Sequence, residues 1–143
     1  MIFFLDSSAV VKRYVQEPGT AVVRALFRGR RQLAAARVTA VEVAAALARR
    51  ARSGDLDSTA AHRQSERALG DLGKMHVVEL RAPVVQLAVE LGWKHPLRAF
   101  DAIQLGSALH LMRATGLALT FVCADRGLCD VAKLEGARVL VAE

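Results

Sequence analysis

A chain of 143 residues has room for one domain with its own core. Its hydrophobic share of 53% includes only 5% aromatics, so the interior is built from Ala, Val and Leu, which suits helices and buried parallel strands and argues against a β-sandwich. Twenty Lys and Arg against fourteen Asp and Glu give a net charge of +6, and only four of these bases are Lys; a guanidinium-rich surface fits a polyanionic partner, although charge also keeps a protein dissolved.

The chain opens on the apolar run Ile2–Leu5, a strand that stops at Asp6. Helical periodicity follows over 8–15 and, past Pro18 and Gly19, over 20–28. A second strand starts at Leu33 in "LAAA", and helices are predicted over 40–53 and 58–72. The run "VVEL" from Val77 reads as a third strand, followed by helices over 83–93 and 99–115. The fourth and fifth strands are "TFV" from Thr120 and "RVLV" from Arg138, with a helix over 127–135 between them. Strands that alternate with helices predict one α/β domain over 1–143, a central, mainly parallel sheet of about five strands covered on both faces. No linker, repeat or low-complexity tract divides it.

Cys123 lies in the apolar run "LTFVCA", and with Cys129 as the other cysteine the pair is too sparse for a disulfide framework. A core thiol in a reducing cytoplasm is expected. No apolar run approaches a membrane span, and no basic stretch precedes an apolar segment at the start of the sequence.

Most acids sit among charged neighbours, but four are flanked by residues that favour burial: Asp6 after "IFFL", Glu42 in "VTAVEVAAAL", Asp101 in "LRAFDAIQLGSAL" and Asp125 after "LTFVCA". Each has a plain helical explanation. Asp6 and Asp125 could cap helix N-termini, Thr39 with Glu42 spells a capping box, and Asp101 could answer a helix dipole. As a set they ask for more, because Ser7, Ser8 and Thr39 already offer caps, and Asp101 shares a helical stripe with Leu105, Ala108 and Met112. In a doubly wound sheet the carboxyl ends of strands and the amino ends of helices share one edge. Several carboxylates gathered there repel unless a cation lies between them, and oxygen-only ligands select Mg²⁺ or Mn²⁺.

The segments "FLDSSAVVKRY", "VTAVEVAAAL", "RAFDAIQLGSALHL" and "CADRGLCDVAKLEG" are similar, in order and spacing, to the acidic motifs of the PIN-domain nucleases. Within that family they resemble the VapC-type ribonuclease toxins of toxin-antitoxin modules. The resemblance spans nearly the whole chain and implies a PIN-like α/β/α fold. It also implies a metal site formed by Asp6, Glu42, Asp101 and Asp125, a supporting hydroxyl from Ser7, an RNA substrate, Mg²⁺ or Mn²⁺ as cofactor, homodimerisation and a small antitoxin partner. The chain departs from the family at Cys123, where Ser or Thr often stands two residues before the last acid; Asp130 is a possible auxiliary.

Arg98, ahead of the third motif, and Arg126, beside the fourth, are candidates to meet RNA phosphate, with "FRGRR" and "ARRAR" as more distant patches. The four His show no metal spacing, and Trp93 reads as a core or dimer contact. Three other functions remain open: a PIN nuclease of RNA processing, a metal- or RNA-binding module that does not cleave, and an aspartyl-phosphate enzyme with Asp6 as nucleophile. The last fits "DSS" poorly, since its usual lysine would have to be Lys133, placed on a helix.

Overall fold

Strands form where apolar residues run without interruption, and helices form where they recur every three or four positions. The computed structural model describes residues 1–143. Its elements are β1 (Ile2–Leu5), α1 (Ser7–Val10) continued by a 3-10 turn (Val11–Arg13), α2 (Thr20–Arg28), β2 (Gln32–Ala36), α3 (Thr39–Ser53) and α4 (Ser58–Leu72). There follow β3 (His76–Val78), α5 (Ala82–Lys94), α6 (Ala99–Thr115), β4 (Leu119–Cys123), α7 (Arg126–Leu134) and β5 (Arg138–Val141).

All five strands pair in parallel, in the order β3-β2-β1-β4-β5. The chain winds outward from β1 through β2 to β3, then crosses back to β4 and β5. The reversal therefore falls between β1 and β4, the point where such sheets open a crevice at their carboxyl ends. Register is set there by Phe4 opposite Phe121 and Leu5 opposite Val122.

Alternation along each strand divides the core between the two faces. Ile2, Phe4, Phe121 and Cys123 pack with α5, α6 and α7, while Leu5 and Val122 pack with α1, α2 and α3. The α5–α6 contact is tight at Gly106, where a Cβ would stand 3.2 Å from the Ala88 nitrogen. Gly19, with φ of 90°, abuts the Ala142 backbone so closely that no side chain fits.

The predicted elements are present, with three local differences. The helix expected over 8–15 is one α-turn that tightens into the 3-10 turn. The third strand ends at Val78 rather than running on to Leu80; β3 is an edge strand, and Glu79 beyond it turns out to pair with Arg37. Cys123 is not a lone core thiol: α7 folds back over the end of β4, and Cys129 meets Cys123 sulfur to sulfur with Cα atoms 6.6 Å apart. No helix is long and apolar enough to cross a membrane.

Candidate active site

Asp6 ends β1 and caps α1. Its Oδ1 accepts hydrogen bonds from Ser8 Oγ at 2.7 Å and from the Ala9 amide at 3.0 Å. The side chain is only 3% exposed, and the Asp6 amide donates to the Val122 carbonyl at 3.0 Å, which ties the acid to the end of β4. Burial pushes its carboxyl up to about 7; the bonds from Ser8 and Ala9 oppose the rise, and the charges of Asp101 and Glu42 add to it.

The hydroxyl that supports Asp6 belongs to Ser8, not to Ser7. Ser8 Oγ also accepts from the Ala124 amide at 3.0 Å and so bridges the ends of β1 and β4. Within α1 the second serine bonds the cap and the strand ends, whereas Ser7 makes no hydrogen bond to Asp6; both border a groove beside them. Sequence offered two adjacent hydroxyls and no means of telling which one turns inward.

Asp101, in the first turn of α6, is half-buried and accepts no hydrogen bond. Burial raises its carboxyl above the ordinary value, the charges of Asp125 and Glu42 raise it further, and the Arg98 guanidinium counteracts them. Arg98 is exposed at the N-cap position of the same helix. Asp125 is exposed and caps α7, its Oδ1 accepting from the Leu128 amide at 3.1 Å. Arg126 is turned away from the acids: its guanidinium pairs with the Glu143 carboxylate.

Glu42 lies in the first turn of α3, but the capping box does not form. Val38 occupies the N-cap position, and Thr39 Oγ1 accepts instead from Gln104 Nε2 at 2.9 Å. The same nitrogen donates to Glu42 Oε1 at 2.8 Å. Gln104 is 1% exposed, and its Oε1 has no hydrogen-bond partner. This residue, one turn beyond Asp101, passed unnoticed in the sequence because a single Gln in an apolar helix resembles any polar interruption. Gln104→Leu keeps the volume and removes the donor, so the Thr39 hydroxyl and one Glu42 oxygen lose a partner. Stability should fall by about 1–3 kcal/mol. Thermal melts on the parent and the variant check the number.

The sheet edge thus joins Asp6, Glu42, Asp101 and Asp125 electrostatically, each of the two perturbed carboxyls feeling Glu42 and one further acid. No three His, Cys, Asp or Glu side chains close into a ready-made cation cage. Asp6 and Asp125 each place one oxygen in a helix cap, and Gln104 holds one oxygen of Glu42. The donor set nevertheless fits a hard cation, since it is all oxygen, carries like charges that add to the rise of Asp6 and Asp101, and borders a buried amide oxygen without a partner. Asp130 pairs loosely with Lys133 at 3.7 Å, and both side chains are exposed on α7.

Fold and acids together define a doubly wound α/β domain with a carboxylate-lined switch point. The chain belongs to the PIN domain family, whose model matches residues 3–134. Two ribonucleases of Mycobacterium tuberculosis, VapC45 of strain CDC 1551 / Oshkosh and VapC49 of strain ATCC 25618 / H37Rv, are each 36% identical over 144 residues, covering 99% of this chain and 96% of the relative. Among solved structures, PAE2754 from Pyrobaculum aerophilum is 28% identical with a TM-score of 0.64, covering 97% of this chain and 83% of its own. FitAB bound to an IR36 DNA fragment superposes with a TM-score of 0.70 at 16% identity, covering 99% of this chain and 95% of that one, and so shares the fold.

Proposed function

We propose that this chain is a metal-dependent endoribonuclease, the toxin of a type II toxin-antitoxin pair, which hydrolyses RNA phosphodiester bonds in the cytoplasm. The observation that carries the reading is the convergence of four acids at the switch point, where Asp6 ends β1 buried against the end of β4 and Asp101 stands half-buried among Asp125, Glu42 and the exposed guanidinium of Arg98. The two VapC ribonucleases at 36% identity support RNA as the substrate.

Asp6, Glu42, Asp101 and Asp125 would hold Mg²⁺ or Mn²⁺, which supplies Lewis-acid charge at a phosphodiester and makes nearby water more acidic. The chain's own side chains do the rest. Ionised carboxylates only accept hydrogen bonds, so they turn the hydrogens of an attacking water toward themselves and leave a lone pair facing phosphorus. Arg98 meets the non-bridging oxygens of the phosphate. Ser8 fixes Asp6 against β4, and Gln104 fixes Glu42 against α6.

Without a divalent ion, four carboxylates repel a phosphate instead of stabilising it, so cleavage should vanish in EDTA and return with Mg²⁺ or Mn²⁺ in excess. Cleavage that persists in chelator, measured on purified protein with end-labelled RNA, would reject the mechanism. The same assay tells an enzyme from a module that binds without cleaving. A phosphorylated Asp6 would be needed for the aspartyl-phosphate alternative, and Lys133 lies in the last turn of α7, paired loosely with Asp130.

Two protein partners complete the reading: a second copy of the chain and a small antitoxin. Trp93 is 90% exposed rather than in the core, and with Val85 and Val89 it forms an apolar row on α5 beside a groove of about 300 Å³. Solved toxin-antitoxin complexes of the same fold, including one from Klebsiella pneumoniae at a TM-score of 0.65, agree with a protein partner. Light scattering on the purified chain reads the first, and co-purification with a small co-expressed protein the second.

A further inference from the structure

A groove of about 440 Å³ opens beside the acids, between α1, α3 and the start of α6. Glu42 and Ser7 line one end, Arg49 stands at the other, and Val11, Val41 and Phe100 form the walls between. Val41 is 69% exposed and Phe100 51% exposed, so two large apolar side chains remain in solvent next to the acidic edge of the sheet. The chain has seven aromatic residues, five Phe with one Trp and one Tyr, and its exposed ones are Trp93 on α5 and Phe100, which directly precedes Asp101.

Arg49 is exposed and makes no ion pair, whereas its neighbour Arg50 is engaged with Glu17. Val41, Ala45 and Arg49 recur every four residues and share one stripe of α3. Seven residues separate Glu42 from Arg49, about 10 Å at 1.5 Å per residue, a span that a nucleotide or two of extended strand would cover.

We infer that this groove is a nucleobase subsite, in which Phe100 stacks on a base next to the scissile phosphodiester and Arg49 takes a neighbouring phosphate. The inference rests on the ribonuclease reading for its scissile bond and deepens it by assigning Phe100 and Arg49 to the bound strand. A flat ring fits between Phe100 and Val41 over a floor of Ala45 and Ala46, because aromatic and aliphatic faces hold any base by its π-surface. Polar groups stand only at the ends of the groove, Ser7, Ser8 and Glu42 at one and Arg49 at the other, and the walls between are apolar, so the groove selects an unpaired base rather than a particular sequence. A base held in a duplex is stacked on both sides and cannot enter. The free guanidinium at the far end gives the groove the charge of a phosphate partner, which an apolar protein segment would leave unused.

The test measures binding in EDTA, independent of cleavage, with a fluorescein-labelled single-stranded RNA dodecamer of mixed sequence and the corresponding duplex. Phe100→Ala should weaken single-strand binding by roughly 5- to 100-fold and leave the duplex nearly unchanged; Phe100→Trp should restore it and Phe100→Leu should not. Arg49→Ala should flatten the dependence of log affinity on log salt by about 0.7. A Phe100→Ala protein that melts like the parent and binds the single strand equally well overturns the inference. So does one whose RNA affinity is unmoved while light scattering or capture of a co-expressed protein changes, since Phe100 then belongs to a protein contact. A parent that binds the RNA through Phe100 yet fails to cleave it with Mn²⁺ present sinks the hydrolytic reading and leaves the subsite standing. No single-strand binding by the parent removes the subsite.

Discussion

Asp6→Asn is expected to abolish detectable RNA cleavage and at the same time to raise the melting temperature at pH 8 without divalent ions. The two effects have one origin. Asp6 is buried, and burial with the charges of Asp101 and Glu42 lifts its carboxyl to about 7 from 3.8. At pH 8 the folded protein therefore carries a charge that its surroundings disfavour, by an amount on the order of 4 kcal/mol if the whole shift is counted at about 1.4 kcal/mol per pKa unit. Asn keeps the shape and remains a good N-cap, so the bond from the Ala9 amide survives. The loss is a weaker bond from Ser8, which no longer meets a charged acceptor. A net gain of about 5 °C is expected, since 1 kcal/mol moves the midpoint of a domain of this size by roughly 3 °C.

The sign of the pH dependence follows from the raised carboxyl. Below the unfolded value of 3.8 both states hold the proton and Asp6 behaves as a neutral acid; as pH rises toward 7 only the folded state still holds it, and stability drains away. The advantage of Asn should therefore be greatest above pH 7 and disappear near pH 4. Mn²⁺ at pH 8 should raise the melting temperature of the parent and leave that of the Asp6→Asn protein nearly unmoved. A variant no more stable than the parent at pH 8 would show that the Asp6 charge is relieved by other means, and one that still cleaves RNA would take Asp6 out of the site.

The four acids could be picked out in the sequence because a carboxylate at the end of an apolar run is costly, and the cost is visible from neighbours alone. The run "IFFL" locates Asp6 at a strand end, and "LTFVCA" does the same for Asp125. Helix ends were legible for a similar reason: Gly54 and Gly116 close α3 and α6 in the left-handed conformation that only glycine adopts without strain.

What lay hidden depends on which way a side chain turns. Ser7 and Ser8 are identical in sequence, yet the pitch of a single helical turn sends the Ser8 hydroxyl to Asp6 and leaves that of Ser7 without this bond. Thr39 and Glu42 match a capping box in spacing, but Gln104, sixty-two residues beyond Glu42, claims both groups from across the helix interface. The partner of Arg126 is Glu143, seventeen residues on, brought alongside by the return of β5. Trp93 reads as a core or dimer contact, and only the first of these is excluded: its helix buries Val84, Ala88 and Leu91, and that face leaves position 93 exposed.

Asp101→Asn separates a ligand from a helix-dipole partner. Asp101 is half-buried, accepts no hydrogen bond and stands among Asp125, Glu42 and Arg98, so its charge has no structural use that the fold reveals. If it helps hold a divalent ion, the amide removes one negative charge at constant shape and cleavage should fall by roughly 100-fold or more, the loss seen when one electrostatic contact to a transition state is deleted. RNA affinity in EDTA should hold or rise, because one repulsive charge facing the phosphates is gone while Arg98 and Arg49 are untouched. If Asp101 only complements the first turn of α6, the same change costs about 1 kcal/mol of stability or less and cleavage stays near that of the parent. The direction of the melting shift adds a third reading: a carboxyl raised by burial and like charges predicts a small increase at pH 8, and a dipole partner predicts a decrease. A variant with a lowered melting temperature and intact cleavage would place Asp101 in the helix and out of the chemistry.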